Sequence, residues 1–502
     1  MIPTFDKLTR YRWSSESDAD RFPVEDPATG KVITVVQGGG AEQMNRAITA
    51  AQRAFATDWR RRTRTERARM LLACADVLEQ HTDELAEILS LENGKPIADA
   101  RDNDIQFLIG VFRFFGGIVD KVPSGDFHDS GSIYSATMLE PFGVIGGIIP
   151  FNWPPIHTGG KIAPALAVGN TVVLKPSEGA PLTVIRIVEL CNQVLPPDVL
   201  HVVPGVGAVA GQALAANPLV KLISFTGSTR AGAAVAKTAA DHVAPALLEL
   251  GGKNAFIVFD DADLDRAVRD ALEGGFYNKG EACTASSRVL VHRKVADELT
   301  SRLAAGVRAL KVGAGNDPTT HVGPVVTKVQ QRKVLEYIEI GKREGARVVA
   351  EAKLPSDPAL AQGFYVAPTL LADVTPDARL AKEEIFGPVV TVTVFDNEQQ
   401  AIDITNSSEY GLFAAVYSRD SERYLRVARQ IDVGVVLVNN YFRGLLGLPF
   451  GGTKQSGYGR EHTIETLSHF GYRKLIRIPS GTGTWPKWRA VNDVFGPINK
   501  ES

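Results

Sequence analysis

The chain has 502 residues, 44% of them hydrophobic and 22% charged, and a formal net charge of −2. That length exceeds what a single core usually supports, so two or more domains are expected. The interspersed charges give no footprint for nucleic acid and no polybasic membrane patch, and three cysteines with no CxxC or Cys/His ligand spacing build neither a disulfide framework nor a metal site.

The N-terminal MIPTFDKLTRYRWSSESDAD is polar and has no apolar h-region, so no secretory signal is expected and the chain is assigned to the cytoplasm. From about residue 42 to 119 the apolar spacing predicts helix; ARMLLACADVLEQHTDELAEILSLENGK carries it clearly and stops at Asn93-Gly94. FGVIGGIIPF, from Phe142 to Phe151, is the longest apolar run and is too short to span a bilayer. Beyond it, TVVLK, VLHVVPG, KLISFTG and NAFIVF alternate with helical stretches, and RVLVH, RVVAEA, VVTVTVF, LFAAVYS and VGVVLVN repeat the pattern downstream. Strands alternating with helices imply parallel sheets covered by helices, and two successive α/β domains are the economical reading. Glycines near ELGGKN mark the crossover between them. SIYSATMLEP and GYRKLIRIP read as extra strands that pair outside the main sheets and suit subunit contacts.

Cys283, in GEACTASSR, is the cysteine that stands out. Cys74 and Cys191 sit in amphipathic helices with apolar flanks, as core thiols do, whereas Cys283 is surrounded by Lys279, Glu281, Thr284 and Ser286. A reactive thiol needs exposure and a polar or positive setting, which this segment is expected to supply; a surface thiol of no consequence fits the local sequence equally well. Glu249, in LLELGGKN, is either a charge at a strand end or a base. Asn152, in IIPFNWPP, is either a turn asparagine beside prolines or a rigidly held amide donor suited to an oxyanion. FTGSTRAG follows a strand and opens a helix; its GxxxxG spacing is neither GxGxxG nor a Walker loop, yet such a turn presents N–H groups to an anion. Lys175 and Glu178, in VVLKPSE, lie beyond another strand end, where ligands of open α/β sheets bind.

The ordered set PFNWP, TVVLKPSE, FTGSTRAG, LELGGKN, GEACTA, EEIFGPVV, NNY and PFGGTKQSGYGRE resembles the aldehyde dehydrogenase superfamily over residues 22 to 478. The resemblance implies two Rossmann-like parallel α/β domains plus a small β extension for oligomerisation. It divides the chain into a NAD-binding domain (1–122 and 141–250), a catalytic domain (251–450), oligomerisation strands (123–140 and 467–490) and a tail (491–502). It implies Cys283 as nucleophile, Glu249 as general base and Asn152 as oxyanion donor, with Lys175, Glu178, Gly227, Ser228, Pro150, Trp153, Glu384 and Phe386 on the cofactor. Glu178 favours NAD, because a carboxylate at the ribose repels a 2′-phosphate; NADP is the alternative. No metal is implied. The order Phe151-Asn152-Trp153, and Lys279 and Glu281 where glutamine is frequent, depart from the commoner pattern and bear on the pocket and the thiol's pKa. His157 and Gly160, where bulkier apolar residues are frequent, join Trp153, Tyr277 and Phe450 to suggest a roomy, aromatic-lined pocket, hence a bulky apolar or aromatic aldehyde. His157 reads equally as a satisfied structural histidine, and Gly160 as a helix-packing glycine. The expected product is the free acid, since coenzyme A-acylating relatives tend to lack the base; that activity and a non-catalytic scaffold are the rival readings. The resemblance also implies a homodimer or homotetramer, and the tail, with two tryptophans, either covers a neighbouring subunit or is mobile.

Overall fold

Short Val-, Ile- and Leu-rich runs form two separate sheets, as β-branched residues buried on both faces do. The structure, a computed structural model, describes residues 21–123, 125–482 and 487–496. The first sheet runs β19 (Gly457–Tyr458), β9 (Ala246–Glu249), β8 (Val220–Thr226), β5 (Val144–Ile148), β6 (Thr171–Lys175), β7 (Leu200–Val202), with only the β19–β9 pair antiparallel. The second runs β12 (Arg347–Glu351), β13 (Thr369–Ala372), β14 (Val389–Phe395), β11 (Arg288–His292), β10 (Ala255–Val258), β16 (Phe413–Tyr417), β17 (Val435–Val438). Here β12 alone is antiparallel to its neighbour. Alternation with helices does not foresee that: the connection from β12 to β13 contains only a short 3-10 turn, so no crossover helix forces the parallel direction.

The predicted helical stretch comprises α1 (Ala41–Thr57), α2 (Arg64–Gln80), α3 (Thr82–Asn93) and α4 (Gln106–Ile118). A capping box between Thr63 and Glu66 starts α2, and Gly94, at φ 80°, ends α3 where its sequence signal lies. Helices α5 (Pro154–Val168) and α6 (Leu182–Cys191) follow β5 and β6. Cys74 and Cys191 are fully buried between α2 and α6, with Cys74 Sγ 4.0 Å from the Cys191 carbonyl. Downstream, α7 (Thr229–Ala240) leaves β8 and α8 (Leu264–Phe276) leads toward Cys283.

The chain crosses between the sheets at the glycines after Glu249, where β9 ends and β10 begins six residues on. β3 (Phe127–Asp129), β4 (Ile133–Pro141) and β20 (Gly471–Pro479) form a separate antiparallel sheet, the extra strands expected to pair outside the two main ones. A hairpin of β1 (Arg21–Asp26) and β2 (Lys31–Gln37) and a two-residue pairing of β15 (Tyr410–Gly411) with β18 (Thr453–Lys454) carry no strong sequence pattern and were not foreseen. Arg489–Phe495 is helical, so part of the tail has regular structure. The N-terminal twenty residues and Trp485 lie outside the described residues.

Candidate active site

Glu249 closes β9, Asn152 follows β5, Lys175 closes β6 and Gly227 follows β8, so four candidate residues from separate segments meet at the C-terminal edge of the six-stranded sheet. Cys283 arrives from the other sheet, on the loop before β11. Asn254, at the head of β10, ties that loop down: its Nδ2 donates to the carbonyls of Cys283 (2.7 Å) and Ala285 (2.8 Å), and its Oδ1 accepts the Phe413 N–H (3.0 Å). Gly252 packs so closely beneath that a Cβ there would lie 2.3 Å from the Cys283 carbonyl oxygen. The Cys283 thiol and the Glu249 carboxyl lie close enough to perturb each other: the carboxylate charge raises the thiol, and the thiol lowers the carboxyl. The second oxygen of that carboxyl, Oε1, is buried without a partner.

The approach to Cys283 is strained. Asn278, Lys279 and Gly280 all have left-handed backbone, at φ 50°, 62° and 69°. Asn278 holds the bend by donating to the carbonyls of Asn152 and Glu281, both at 3.0 Å, which couples the Asn152 loop to the Cys283 loop. Asn152 is 3% exposed and its Oδ1 has no hydrogen-bond partner.

The expected exposed, positively flanked thiol is not what folds. Cys283 is only 6% exposed and packs with Trp153, Ala282, Ala285 and Leu412, against Ile156, Tyr277 and Phe450. Lys279 turns away to Asn93 and pairs with Glu281 at 3.2 Å, so neither charge serves the thiol. Burial, then the charges of Glu249 and Glu384, push the Cys283 thiol well above the usual cysteine range. Burial and the nearby Glu461 raise Glu249 likewise.

At the end of β6, Lys175 pairs with Glu178 at 3.0 Å, and Glu178 Oε1 accepts the Gly207 N–H at 2.5 Å. Burial pushes the Glu178 carboxyl up, but Lys175 and that N–H outweigh it and hold it below the usual range. The Gly227 N–H is fixed to the Glu249 carbonyl at 3.1 Å, and a Cβ at Gly227 would sit 2.7 Å from the Phe225 ring. Ser228 caps α7 by accepting from the Ala231 N–H. An ion pair at a strand's C-terminal end beside a glycine turn feeding a capped twelve-residue helix fits a ribose and its pyrophosphate. Glu384 accepts the Gly252 N–H at 2.9 Å, which puts it across from the Glu249 strand end. Phe386 holds a left-handed φ of 60°, its ring 5.8 Å edge-on from Phe151, and Pro150 lies between β5 and α5.

The sequence descriptor "Aldehyde dehydrogenase family" matches residues 13–476. "Aldehyde dehydrogenase citD" of Monascus ruber is 56% identical, covering 97% of both chains, and an aldehyde dehydrogenase of Didymella fabae is 51% identical, covering 96% of this chain and 97% of its own. The crystal structure of PnpE in complex with nicotinamide adenine dinucleotide superposes with a TM-score of 0.90 at 39% identity, covering 93% of this chain and 96% of PnpE. The chain belongs to the aldehyde dehydrogenase family.

In this aldehyde dehydrogenase several residues that position the site carry little local sequence signal. Asn254 and Glu461 lie inside quoted motifs, LELGGKN and PFGGTKQSGYGRE, yet nothing local marks them. Lys161 did carry a signal, a lone charge in the apolar helix segment PIHTGGKIAPALAV. Its Nζ reaches Glu461 Oε1 (3.1 Å), Thr226 Oγ1 (2.8 Å) and Ser224 Oγ (3.2 Å). His157 is not the satisfied histidine weighed above: neither ring nitrogen has a hydrogen-bond partner. Gly160 faces His462, where a Cβ would lie 3.1 Å from the ring, so its packing is against that imidazole. Tyr277 stacks under the Arg443 guanidinium at 4.7 Å, and Phe450 joins the Cys283 cluster to the second sheet's core.

A raised thiol pKa predicts a measurable pH profile. Below its pKa a thiol gains about tenfold in thiolate per pH unit. Iodoacetamide labelling of Cys283 without cofactor, followed by peptide mass spectrometry, is therefore expected to keep rising through pH 8.5 without levelling. A plateau near pH 7 would contradict the burial argument.

Proposed function

We propose that this enzyme oxidises a bulky apolar or aromatic aldehyde to the carboxylic acid with NAD, through a covalent intermediate on Cys283. The observation that carries this reading is the convergence of Cys283, from the loop before β11, with Glu249, at the end of β9 in the other sheet, beside the aromatic side chains of Trp153, Tyr277 and Phe450. As the thiolate, Cys283 attacks the carbonyl carbon and gives a thiohemiacetal. The Asn152 amide and the Cys283 N–H serve as donors to the new alkoxide, and each such donor is typically worth about 2.7–4 kcal/mol in the barrier. When bound, NAD supplies the hydride acceptor, and the carbon left on sulfur is a thioester. Glu249 then takes a proton from water that cleaves it, which suits a carboxyl with one buried oxygen free of partners and a proton affinity raised by burial.

Lys175 and Glu178 are assigned to the ribose, Gly227 and Ser228 to the pyrophosphate, and Pro150, Trp153, Glu384 and Phe386 to the nicotinamide side. His157, Gly160, Tyr277 and Phe450 are assigned to the substrate side. Residues 1–122 with 141–250 form the NAD-binding domain in this reading, and 251–450 the catalytic domain. The exposed apolar side chains of the three-stranded sheet, Met138, Tyr472, Leu475 and Ile478 among them, support association into a homodimer or homotetramer. Three free cysteines fit a reducing, cytoplasmic setting, and no described helix is long and apolar enough to cross a membrane.

The test is an aldehyde panel run with NAD or NADP, with and without coenzyme A, and with product analysis. Expected are a free acid, no acceleration by coenzyme A, NAD favoured by about tenfold or more because of Glu178, and benzaldehyde better than acetaldehyde. An acyl-coenzyme A product, or rates that fall from acetaldehyde to benzaldehyde, would overturn the corresponding part.

A further inference from the structure

Beside the Cys283 cluster lies a set of buried polar atoms that the chemistry above leaves unused. His157, in the first turn of α5, is 3% exposed, and both its ring nitrogens lack partners. His462 is 6% exposed with Nδ1 unpartnered, and Glu461 Oε2 is unpartnered too. Leaving one buried polar atom unpaired typically costs about 1–3 kcal/mol, so four in one small region call for a ligand.

The protein does not satisfy these atoms internally. Lys161 spends its donors on Glu461 Oε1, Ser224 and Thr226, and Glu461 Oε2 stays 3.9 Å from His462 Nε2, beyond hydrogen-bond reach. His462 is also held at a left-handed φ of 64°, a conformation that costs free energy and persists only where the surroundings impose it. Its ring stands edge-on to Phe107 at 5.1 Å and lies 5.8 Å from Phe450, a member of the Cys283 cluster. The imidazole is therefore one aromatic ring away from the thiol's surroundings. The absence of a side chain at Gly160 is what lets it lie there.

We propose that His157 and His462, with Glu461 Oε2, form a subsite that hydrogen-bonds a hydroxyl group on an aromatic aldehyde, making phenolic aldehydes the preferred substrates. This rests on the aldehyde oxidation proposed above and specifies its substrate class. Burial pushes His157 down to about 3 and holds His462 below the usual histidine range, so each imidazole is neutral and offers one donor and one acceptor. Burial opposes ionisation of Glu461, but Lys161 outweighs it and holds the carboxyl at about 2, an acceptor at neutral pH. A hydroxyl both donates and accepts, which matches this set. A carboxylate would meet Glu461 with no spare cation to offset it, and a bare hydrocarbon would leave every nitrogen unpaired. The flanking rings of Phe107, Phe450 and Trp153 supply the flat apolar walls an aryl group needs.

The experiment compares kcat/KM for the ortho, meta and para monohydroxybenzaldehydes with that for benzaldehyde, in the wild type and in His157→Leu and His462→Leu. At least one isomer is expected to exceed benzaldehyde by about tenfold or more, and each variant to lower that ratio by about tenfold. A ratio within one preparation does not depend on how much of a variant folds. In parallel, phenol is expected to slow iodoacetamide labelling of wild-type Cys283 at about a tenth of the concentration toluene requires, an advantage lost in both variants. A wild-type ratio near one, or ratios and protection unchanged in both variants, would overturn the proposal. If no aldehyde yields NADH, the parent reading has failed instead, and the labelling comparison still decides this one.

Discussion

Cys283→Ala is expected to form no NADH above background with any aldehyde, a loss on the order of 10⁴-fold or more in kcat, with no pre-steady-state burst. The size follows from the role assigned to the thiol. Hydride leaves readily only from a tetrahedral carbon bearing an alkoxide, and without sulfur no covalent nucleophile remains to make one: the buried apolar neighbours Trp153, Ala282, Ala285 and Leu412 offer none. Cys283→Ser is expected to fare little better, because a buried hydroxyl is far harder to ionise than a thiol beside the same carboxylates. The fold should be indifferent. Replacing one small buried side chain by alanine removes a single sulfur, and the loop is held by Asn254, Asn278 and Gly252 through backbone groups that the substitution leaves in place. Stopped-flow NADH fluorescence with a thermal melt checks both halves. Retention of a tenth of the wild-type rate would remove Cys283 from the chemistry.

What the sequence revealed and what it hid divide along a physical line. Runs such as KLISF and VVTVTVF became buried strands because β-branched residues between glycine and proline stops have few alternatives. Likewise Asn93-Gly94 ended a helix because glycine takes the left-handed cap at no steric cost. The candidates Glu249, Asn152, Lys175 and Gly227 were legible because each punctuates a strand end, and strand ends of parallel sheets converge. Burial of Cys283 was not legible. Its neighbours GEACTASSR are small and polar, as a surface loop would be, yet they are enclosed because two sheets close over them; Lys279 and Glu281 are spent on each other and on Asn93. Nor did any local pattern announce His462. Its significance comes from the bare face of Gly160 more than three hundred residues earlier, a long-range juxtaposition that single-sequence periodicity does not carry.

Glu249→Gln is expected to separate the two halves of the reaction. NADH should appear in a burst of about one equivalent per site, followed by steady-state turnover slowed by about 10²–10⁴-fold. Glutamine matches the wild-type carboxyl in size and shape and adds no charge to a buried position, so it should leave the melting temperature nearly unchanged. What glutamine cannot do is accept a proton from water. The thioester on Cys283 should therefore accumulate, visible as an acyl mass adduct on the active-site peptide. Hydroxylamine, a nucleophile that needs far less help from a base, should restore turnover and give the hydroxamate. If the burst itself disappears, Glu249 acts earlier, as the base that ionises the thiol, and the assignment to thioester hydrolysis falls. The raised thiol makes that alternative a sharp one, because a thiolate formed against burial and two carboxylates needs somewhere to send its proton. Burst amplitude distinguishes the cases where steady-state rate alone does not, since either loss lowers kcat.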